Sequence, residues 1–516
     1  MPDAGTISRE NERRQEQLDR RNAPAARPPV LAPDRVPMTL GPGGGPTFLL
    51  RQVIFDKSEF LSEDELQSIA KNYTGKSVDN LQIQKLVKEV NDLFADRRIA
   101  TGIAYLPQQN VRSGILRVAI IEGKLGKVIF TGNEHVKEED LRPFIKAEPG
   151  KVLDLPALER DVAWFNRSRT VQMQAALQPG ASFGLTDIQL TVQEPPTNSF
   201  SGYIDNMGVD SVGKYQGGGS YQRSRLAFDD DRLTLFGVLS QGNRSLNAAY
   251  NLPFNPWGGR IGVSASRGNI HIVSGPYSRL KVDGESMSIA VNASQPIWMN
   301  STWVVLANAA VSMIHSTSTE KSVPITDNTS MKKTLGATVT YTSQNWSATL
   351  APNVSQVESR MDVTGVTQSF MAFNMVTNAM LRLPMDFTLV TNTALQWATR
   401  KLLTSDQLFQ IGGPTTVRGY PSNGAAGYAG WYTNIELRHS LEEWIMKGVE
   451  GFAFVDQGSV LSTFPERVDM LSFGAGATWD TGYRGVTVDL TVAIPVMRAM
   501  PAQSGAAIYG RVSAKF

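Results

Sequence analysis

Cysteine is absent from all 516 residues. That excludes a disulfide scaffold, a thiol nucleophile and a cysteine-ligated zinc. It suits a chain that crosses an oxidising compartment unfolded. Histidine is scarce, with His135, His271, His315 and His439 scattered singly. Neither a metal cluster nor a histidine-centred nucleophile system assembles from them, so no metal and no cofactor is expected. Neither sign of charge dominates: 50 Lys and Arg face 48 Asp and Glu, a formal net charge of +2. A balance so close to zero offers nothing to nucleic acid. No run of about twenty apolar residues occurs, which excludes a membrane-crossing helix. A β-barrel stays open, because its alternating strands leave overall hydropathy modest. Residues 1–5, Met-Pro-Asp-Ala-Gly, lack a basic stretch followed by an apolar one. They do not read as a signal peptide, and the expectation is a numbering that starts at or near a mature end.

What is present changes character along the chain. Residues 8–22 are almost wholly charged or amide, with pairs such as Glu10/Arg14 and Glu16/Arg20 at helical spacing. Only Ile7 and Leu18 are large and apolar, so such a helix belongs in a hydrated, charged cavity or remains a polar arm. A Pro/Gly-rich linker follows over 23–47, and its glycines lack the Lys-Ser/Thr of a phosphate loop. Residues 48–122 read as β-α-α-β-β: a strand at 48–55, a capping box at Ser62 and Glu65, and a helix with Leu66, Ile69, Ala70 and Tyr73 on one face. A second helix carries Ile83, Leu86, Val87, Val90 and Phe94, and strands at 101–106 and 114–121 close the unit. The order repeats over 123–196, with Asp154 capping a helix and Pro195-Pro196 marking its end.

From 197 to 516 no amphipathic helix is apparent. Segments of about ten residues alternate apolar and polar between turn signals. Val486, Val488, Leu490, Val492 and Ile494 oppose Thr487, Asp489 and Thr491; Trp431, Thr433, Ile435 and Leu437 oppose Tyr432, Asn434, Glu436 and Arg438. Tight turns at 228–231 and 255–258 alternate with longer connections at 269–282, 315–329 and 401–428. Aromatics such as Trp257, Trp298, Trp303, Trp346, Trp431 and Tyr509 gather at strand ends, as interfacial girdles do. The spacing predicts about sixteen strands, starting near 199, 216, 231, 245, 260, 283, 301, 330, 346, 367, 386, 429, 449, 469, 485 and 507. The fold class is therefore two α+β modules followed by a transmembrane antiparallel β-barrel of about sixteen strands.

Within that barrel one loop stands out. Residues 416–424 read Thr-Val-Arg-Gly-Tyr-Pro-Ser-Asn-Gly, answered by Phe454-Val455-Asp456-Gln457-Gly458. With Asp205-Asn206-Met207-Gly208 and the passage from Leu177-Gln178-Pro179-Gly180 to Glu194-Pro195-Pro196, this ordered set resembles the two-partner secretion transporters of the outer membrane. That family belongs to the superfamily of barrels with periplasmic POTRA modules. The resemblance covers nearly the whole chain. It implies a Gram-negative outer-membrane pore that secretes one large partner exoprotein, of haemolysin, adhesin, toxin or haem-binding type, without nucleotide hydrolysis and without enzymatic activity. It implies that residues 1–22 plug the barrel at rest and that the modules bind the partner's amino-terminal secretion domain by β-augmentation. It further implies that loop 401–428 folds into the lumen, where Val417, Arg418, Gly419 and Tyr420 meet Phe454, Asp456 and Gly458 of the wall. Terminal Phe516 is the implied membrane-assembly signal. The other expected partners are outer-membrane lipid and the barrel-assembly machinery; no nucleic acid is expected, and the chain is expected to be monomeric. A barrel assembly or insertion factor, a gated porin and an outer-membrane enzyme are the rival readings. His439 falls on the lipid-facing phase of its strand with no partner evident in the sequence.

Overall fold

A computed structural model describes residues 3–21, 30–31, 46–97, 99, 101–111, 113–182, 184–275, 278–300, 302–463, 465–500 and 503–516. Most of the 23–47 linker, Phe183 and the side chains of the Glu16/Arg20 pair lie outside the described residues. The chain divides into two compact units, Ala26–Pro195 and the combination of Met1–Ala25 with Pro196–Phe516.

The smaller unit holds two β-α-α-β-β modules. In the first, helices Glu63–Lys71 and Asn80–Asp96 pack on the sheet Gln52–Phe55, Ile115–Glu122 and Gly102–Tyr105, in that order. Both helices start with reciprocal capping boxes, Ser62 with Glu65 and Asp79 with Gln82, so their first free amides are satisfied locally. The Ser62 hydroxyl bonded to the Glu65 carboxylate, with further help from the Ser62 backbone, holds that carboxyl below its ordinary value. Leu66, Leu86, Val90, Phe94 and Val118 form the core. The close approach of Phe94 explains Gly102, where a Cβ would lie 2.5 Å from the ring. The single strand expected at 48–55 is instead two. Phe48–Leu49 pairs with Ser77–Val78, while Gln52–Phe55 joins the main sheet, because Leu50 turns inward and its carbonyl accepts from Gly75 N.

The second module runs Lys124–Thr131, Glu138–Leu141 continuing as a 3-10 turn, Leu155–Ser168, Gln172–Pro179 and Leu185–Gln193. Asp154 caps the long helix through Ala157 N at 3.0 Å. Leu158, Val162, Phe165, Ile188 and Leu190 fill its core. Its sheet gains a strand that sequence periodicity does not reveal: Val30–Leu31, from the linker, pairs in parallel with Ala175 and Ala176 along the outer edge of Gln172–Pro179.

The larger unit is a closed antiparallel barrel of sixteen strands, from Asn198–Asp205 to Ala507–Lys515. It closes where Ser201 to Asp205 pair with Lys515 to Arg511. Phe516 continues that seam by exchanging backbone hydrogen bonds with Phe200, its side chain exposed among the lipid-facing residues. The outer face alternates out Ile204, Leu239, Leu246, Val291, Leu335 and Val512, all exposed and apolar. At one end Trp298, Trp303, Tyr341 and Trp346 form a continuous ring-to-ring chain, with centroids 6.5, 4.7 and 4.2 Å apart. That is an aromatic girdle.

The wall is uneven. Asn198–Asp205 has 8 residues, whereas Val282–Met299 and Trp303–Glu320 have 18 and Val323–Thr342 has 20. About ten residues cross a bilayer, so this side of the barrel rises well beyond it. The long loop expected at 315–329 does not exist. The strands run on to Glu320 and resume at Val323 through a two-residue turn, Lys321 and Ser322, with φ of 49° and 70°. Its Ser/Thr/Asn richness is that of lumen-facing strand, not loop: Ser316, Ser318, Asn328 and Ser330 are buried on the inner face.

Candidate functional site: a clamped loop and a helix in the lumen

After strand Phe387–Ala398 the chain enters the barrel rather than joining its neighbour directly. A small hairpin, Phe409–Ile411 with Ala425–Gly427, carries the segment between them. Phe409, Ile411, Val417 and Tyr420 bury against Ala394, Val460 and Met470 of the wall. Gly413 and Gly419 take φ of 95° and 90°, which only glycine adopts without strain, and this turns the tip back on itself.

Arg418 lies at that tip. Its Nε and Nη2 donate to Asp456 Oδ2 and Oδ1, each at 2.7 Å, and its own backbone N–H adds a third bond to Oδ2 at 3.0 Å. The fork matches a carboxylate edge in a way that lysine cannot. Nη1 reaches Glu436 Oε1 at 2.7 Å, and the guanidinium lies 3.5 Å over the Phe454 ring. Asp456 is fully buried. The chain of charges continues from Glu436 to Arg438, and from Arg438 Nη1 to Glu450 at 2.8 Å. Every buried charge here is paired, which is the condition for tolerating it.

The neighbours of Arg418 are also fixed. Val417 packs where Gly458 leaves room: a Cβ on that glycine would come within 3.0 Å of Val417 Cγ2. Gly419 N donates to the Tyr509 hydroxyl at 2.9 Å. Tyr420 places its hydroxyl 2.8 Å from Leu471 O and accepts from Leu471 N and Met497 N at 3.2 Å, beside the place where the Ser472–Pro495 ladder ends. Thus Val417, Arg418, Gly419 and Tyr420 come together with Phe454, Asp456 and Gly458, whereas Phe516 belongs to the barrel seam on the outer face.

The amino-terminal helix, Ala4–Arg21, meets the same loop. Asp3 opens it by accepting from Thr6 N at 3.0 Å. Ala4 and Ile7 pack on Val209, Val212 and Ile270 of the barrel. Glu10 is buried; it accepts from Arg14 at 3.2 Å and from Thr415 Oγ1 at 3.0 Å, three residues before Arg418. Arg14 donates to Met207 O at 2.9 Å, Arg9 to Leu408 O, and Asn11 to Ser245 at 2.8 Å. Gly5 approaches Asp406 so closely that a Cβ would lie 3.2 Å from its backbone.

Sequence reasoning missed Glu436 and Arg438 as members of this network, although their inward phase was available from the alternation of their strand. It also missed Arg511, which holds Asp205 at 2.7 Å and stacks over Tyr203. Asn206, quoted beside Asp205, extends the barrel seam through Gly510 N and Ile508 O. His439 does have neighbours: it stacks on Phe387 at 4.4 Å and meets Trp444 edge-on at 6.0 Å. Among the described residues no group of three or more histidines and carboxylates is placed to hold a metal.

A sixteen-stranded barrel with a clamped inner loop, preceded by two small α+β modules, defines the class of outer-membrane POTRA-barrel transporters. The family model for the haemolysin secretion/activation proteins ShlB, FhaC and HecB matches residues 184–479, and that for the ShlB-type POTRA domain matches 48–123. The chain belongs to the haemolysin secretion/activation (ShlB/FhaC/HecB) family. It is 24% identical to the outer membrane transporter CdiB of Dickeya dadantii over 88% of this chain and 83% of that one. It is 22% identical to the heme/hemopexin transporter protein HuxB of Haemophilus influenzae over 95% and 91%. Its fold matches CdiB from Escherichia coli with a TM-score of 0.69 at 19% identity, covering 100% of this chain and 99% of that one. BamA from Haemophilus ducreyi lacking POTRA domains 1–3 superposes less closely, with a TM-score of 0.55 at 14% identity over 91% and 100%. The protein is thus an outer-membrane secretion transporter of the two-partner type.

Proposed function

We propose that this transporter recruits one exoprotein through its POTRA modules and passes it through a lumen that the helix and the clamped loop close at rest. The supporting observation is the buried tie from Glu10 to Thr415, which joins the amino-terminal helix to the loop that carries Arg418. Apart from the small apolar anchor of Ala4 and Ile7, the helix is held by polar contacts to lumen groups, which an entering chain can exchange for its own and so displace it. The chain then acts as a transporter and not as an enzyme. No nucleotide is needed: folding of the exported chain outside prevents its return. The protein works as a monomer, embedded in outer-membrane lipid and inserted there by the barrel-assembly machinery, with Phe516 serving as the assembly signal. The domains follow as plug 1–22, linker 23–47, modules 48–122 and 123–196, and barrel 197–516 with loop 401–428.

The modules offer unequal edges to an incoming strand. Asn91 brackets Ala104 with two side-chain hydrogen bonds of 2.9 Å, and Val30–Leu31 covers Gln172–Pro179. Gln52–Phe55 is an outer strand of the first sheet, with Ile54 exposed on the solvent face opposite Arg117 and Ile115 exposed on the same face opposite Gln52. That strand suits β-augmentation by an extended segment with alternating apolar residues. The test is secretion. Deleting this transporter should leave a large exoprotein in the periplasm, and restoring it should return that protein to the medium. Unchanged export in the deletion strain would refute the proposal.

A further inference from the structure

The outer surface of the barrel carries a groove that the transport reading does not use. Strands Gln216–Ser224, Arg232–Ser240, Asn243–Pro253 and Arg260–His271 lie side by side there. Ser245 receives a hydrogen bond from Asn11 of the lumen helix, so its neighbours Arg244 and Leu246 point outward. Likewise a Cβ on Gly218 would strike the lumen-facing Tyr203 ring, which puts Gly217 and Gly219 on the outer face. Cross-strand pairing then sets Gly219 beside Gly237, Gly237 beside Leu246, and Leu246 beside Arg267. The next row sets Gly217 beside Leu239, Leu239 beside Arg244, and Arg244 beside Asn269.

The result is a depression of about 610 Å³, floored by glycine, walled by Leu239 and Leu246 and crowned by Arg244 and Arg267. That volume lies in the range of small-ligand sites. Its height in the membrane follows from topology. The first wall strand leaves the periplasmic modules, so the ends at Ser240, Asn243 and His271 face the cell exterior. These strands have 9, 11 and 12 residues, little more than a crossing requires. Arg244 and Arg267 therefore stand at the level of the outer-leaflet headgroups, above the apolar band of Leu246, Ala248, Val263 and Ala265. Arg267 is tied to Glu285 at 2.6 Å, whereas Arg244 is exposed and makes no ion pair among the described residues.

We propose that this groove holds one molecule of a phosphorylated glycolipid of the outer leaflet, with an acyl chain along the glycines and a phosphate on Arg244 and Arg267. Apolar walls below paired guanidinium groups at headgroup depth match that amphiphile in both shape and charge. A zwitterionic lipid would leave Arg244 uncompensated, and the phosphodiester of a glycerophospholipid carries one negative charge where the phosphomonoester of the glycolipid carries up to two, enough for Arg244 beside an Arg267 already shared with Glu285. Asn269 adds an amide within reach of the sugar.

Native mass spectrometry of the full-length transporter in detergent tests this, with the probe being bis-phosphorylated lipid A, its dephosphorylated form, or phosphatidylglycerol. The expected result is a one-lipid adduct with lipid A that weakens about tenfold in Arg244→Ala and persists in Arg244→Lys, as a charge-assisted contact should. Gly237→Leu should also weaken it. A Cβ there meets nothing nearer than 3.6 Å, so the side chain fills the groove without disturbing the wall. Heat-modifiable migration confirms that each variant barrel is folded. Equal binding of dephosphorylated lipid A or of phosphatidylglycerol would overturn the assignment. So would unchanged binding by Arg244→Ala and Gly237→Leu in folded barrels.

Discussion

Arg418 and Asp456 are joined by three hydrogen bonds of 2.7, 2.7 and 3.0 Å, one of them from the backbone of Arg418 itself. The backbone contact ties the position of the loop, and not only of a side chain, to the wall strand Val449–Leu461. Replacing Arg418 by alanine leaves Asp456 and Glu436 buried without a cation, a loss on the order of 3–5 kcal/mol. The expected outcome is a barrel that still inserts, scored by heat-modifiable migration, but secretes its partner at a small fraction of the normal rate. Near-normal export would count against a role for the clamp in transport.

Lysine at position 418 should not rescue. It supplies charge but not the fork that occupies Asp456 and Glu436 together. Secretion by Arg418→Lys should stay closer to that of alanine than to wild type, measured in the same export assay. Recovery to wild-type levels would show that charge alone suffices.

Much of this architecture was legible in the sequence. Strand alternation and turn residues are local signals, and they placed all sixteen strands of the wall, most of them within two residues. Helix caps located both modules for the same reason. Asp456 could be put inside by its phase with Phe452 and Phe454. Contacts set by long-range packing were not legible. Nothing local says that Glu436 bridges Arg418 and Arg438, that Glu10 meets Thr415 some four hundred residues away, or that Val30–Leu31 adds to a distant sheet edge. The misreading of 315–329 has a related cause. Ser, Thr and Asn mark loops in soluble proteins, but in a water-filled barrel they also line the inner face of strands.

Glu10 offers a separate handle on the closed state. It is the buried acceptor for both Arg14 and Thr415, so Glu10→Ala leaves Arg14 without its carboxylate and breaks the helix–loop tie at one stroke. The expected outcome is a leakier barrel: more frequent openings in planar bilayers and increased sensitivity to large antibiotics that the wild type excludes. Conductance indistinguishable from wild type would mean that the helix is held by its other contacts.

The modules can be tested at the exposed edge of the first sheet. Ile54 is exposed on the solvent face opposite Arg117, so Ile54→Glu removes an apolar side chain from the docking edge without opening the core beneath it. Capture of the partner's secretion domain should weaken severalfold, read by pull-down with the full-length transporter, while barrel migration stays normal. Equal capture would move the binding surface to the second module, where Lys124–Thr131 is the other outer strand.

The last prediction concerns pH and the turn before Arg232. Asp231 is buried, which by itself would raise its carboxyl pKa, but the Tyr250 hydroxyl and the backbone N–H groups of Leu226, Ala227 and Phe228 bind it and hold it below the ordinary value. A group depressed in the folded state stabilises fully above its unfolded pKa, about 3.9 for aspartate. That contribution is lost as pH falls through the lower folded value. Asp231→Asn keeps the shape but loses the charge and offers an N–H where the amides need an acceptor. At pH 7 the variant should unfold at lower temperature or lower denaturant concentration than wild type. The difference should persist at pH 5 and shrink only below about pH 4, where Asp231 of the unfolded wild-type chain begins to take up a proton while the folded carboxylate still resists it. A difference that is constant down to pH 2 would mean that the turn is held by shape and not by the charge on Asp231.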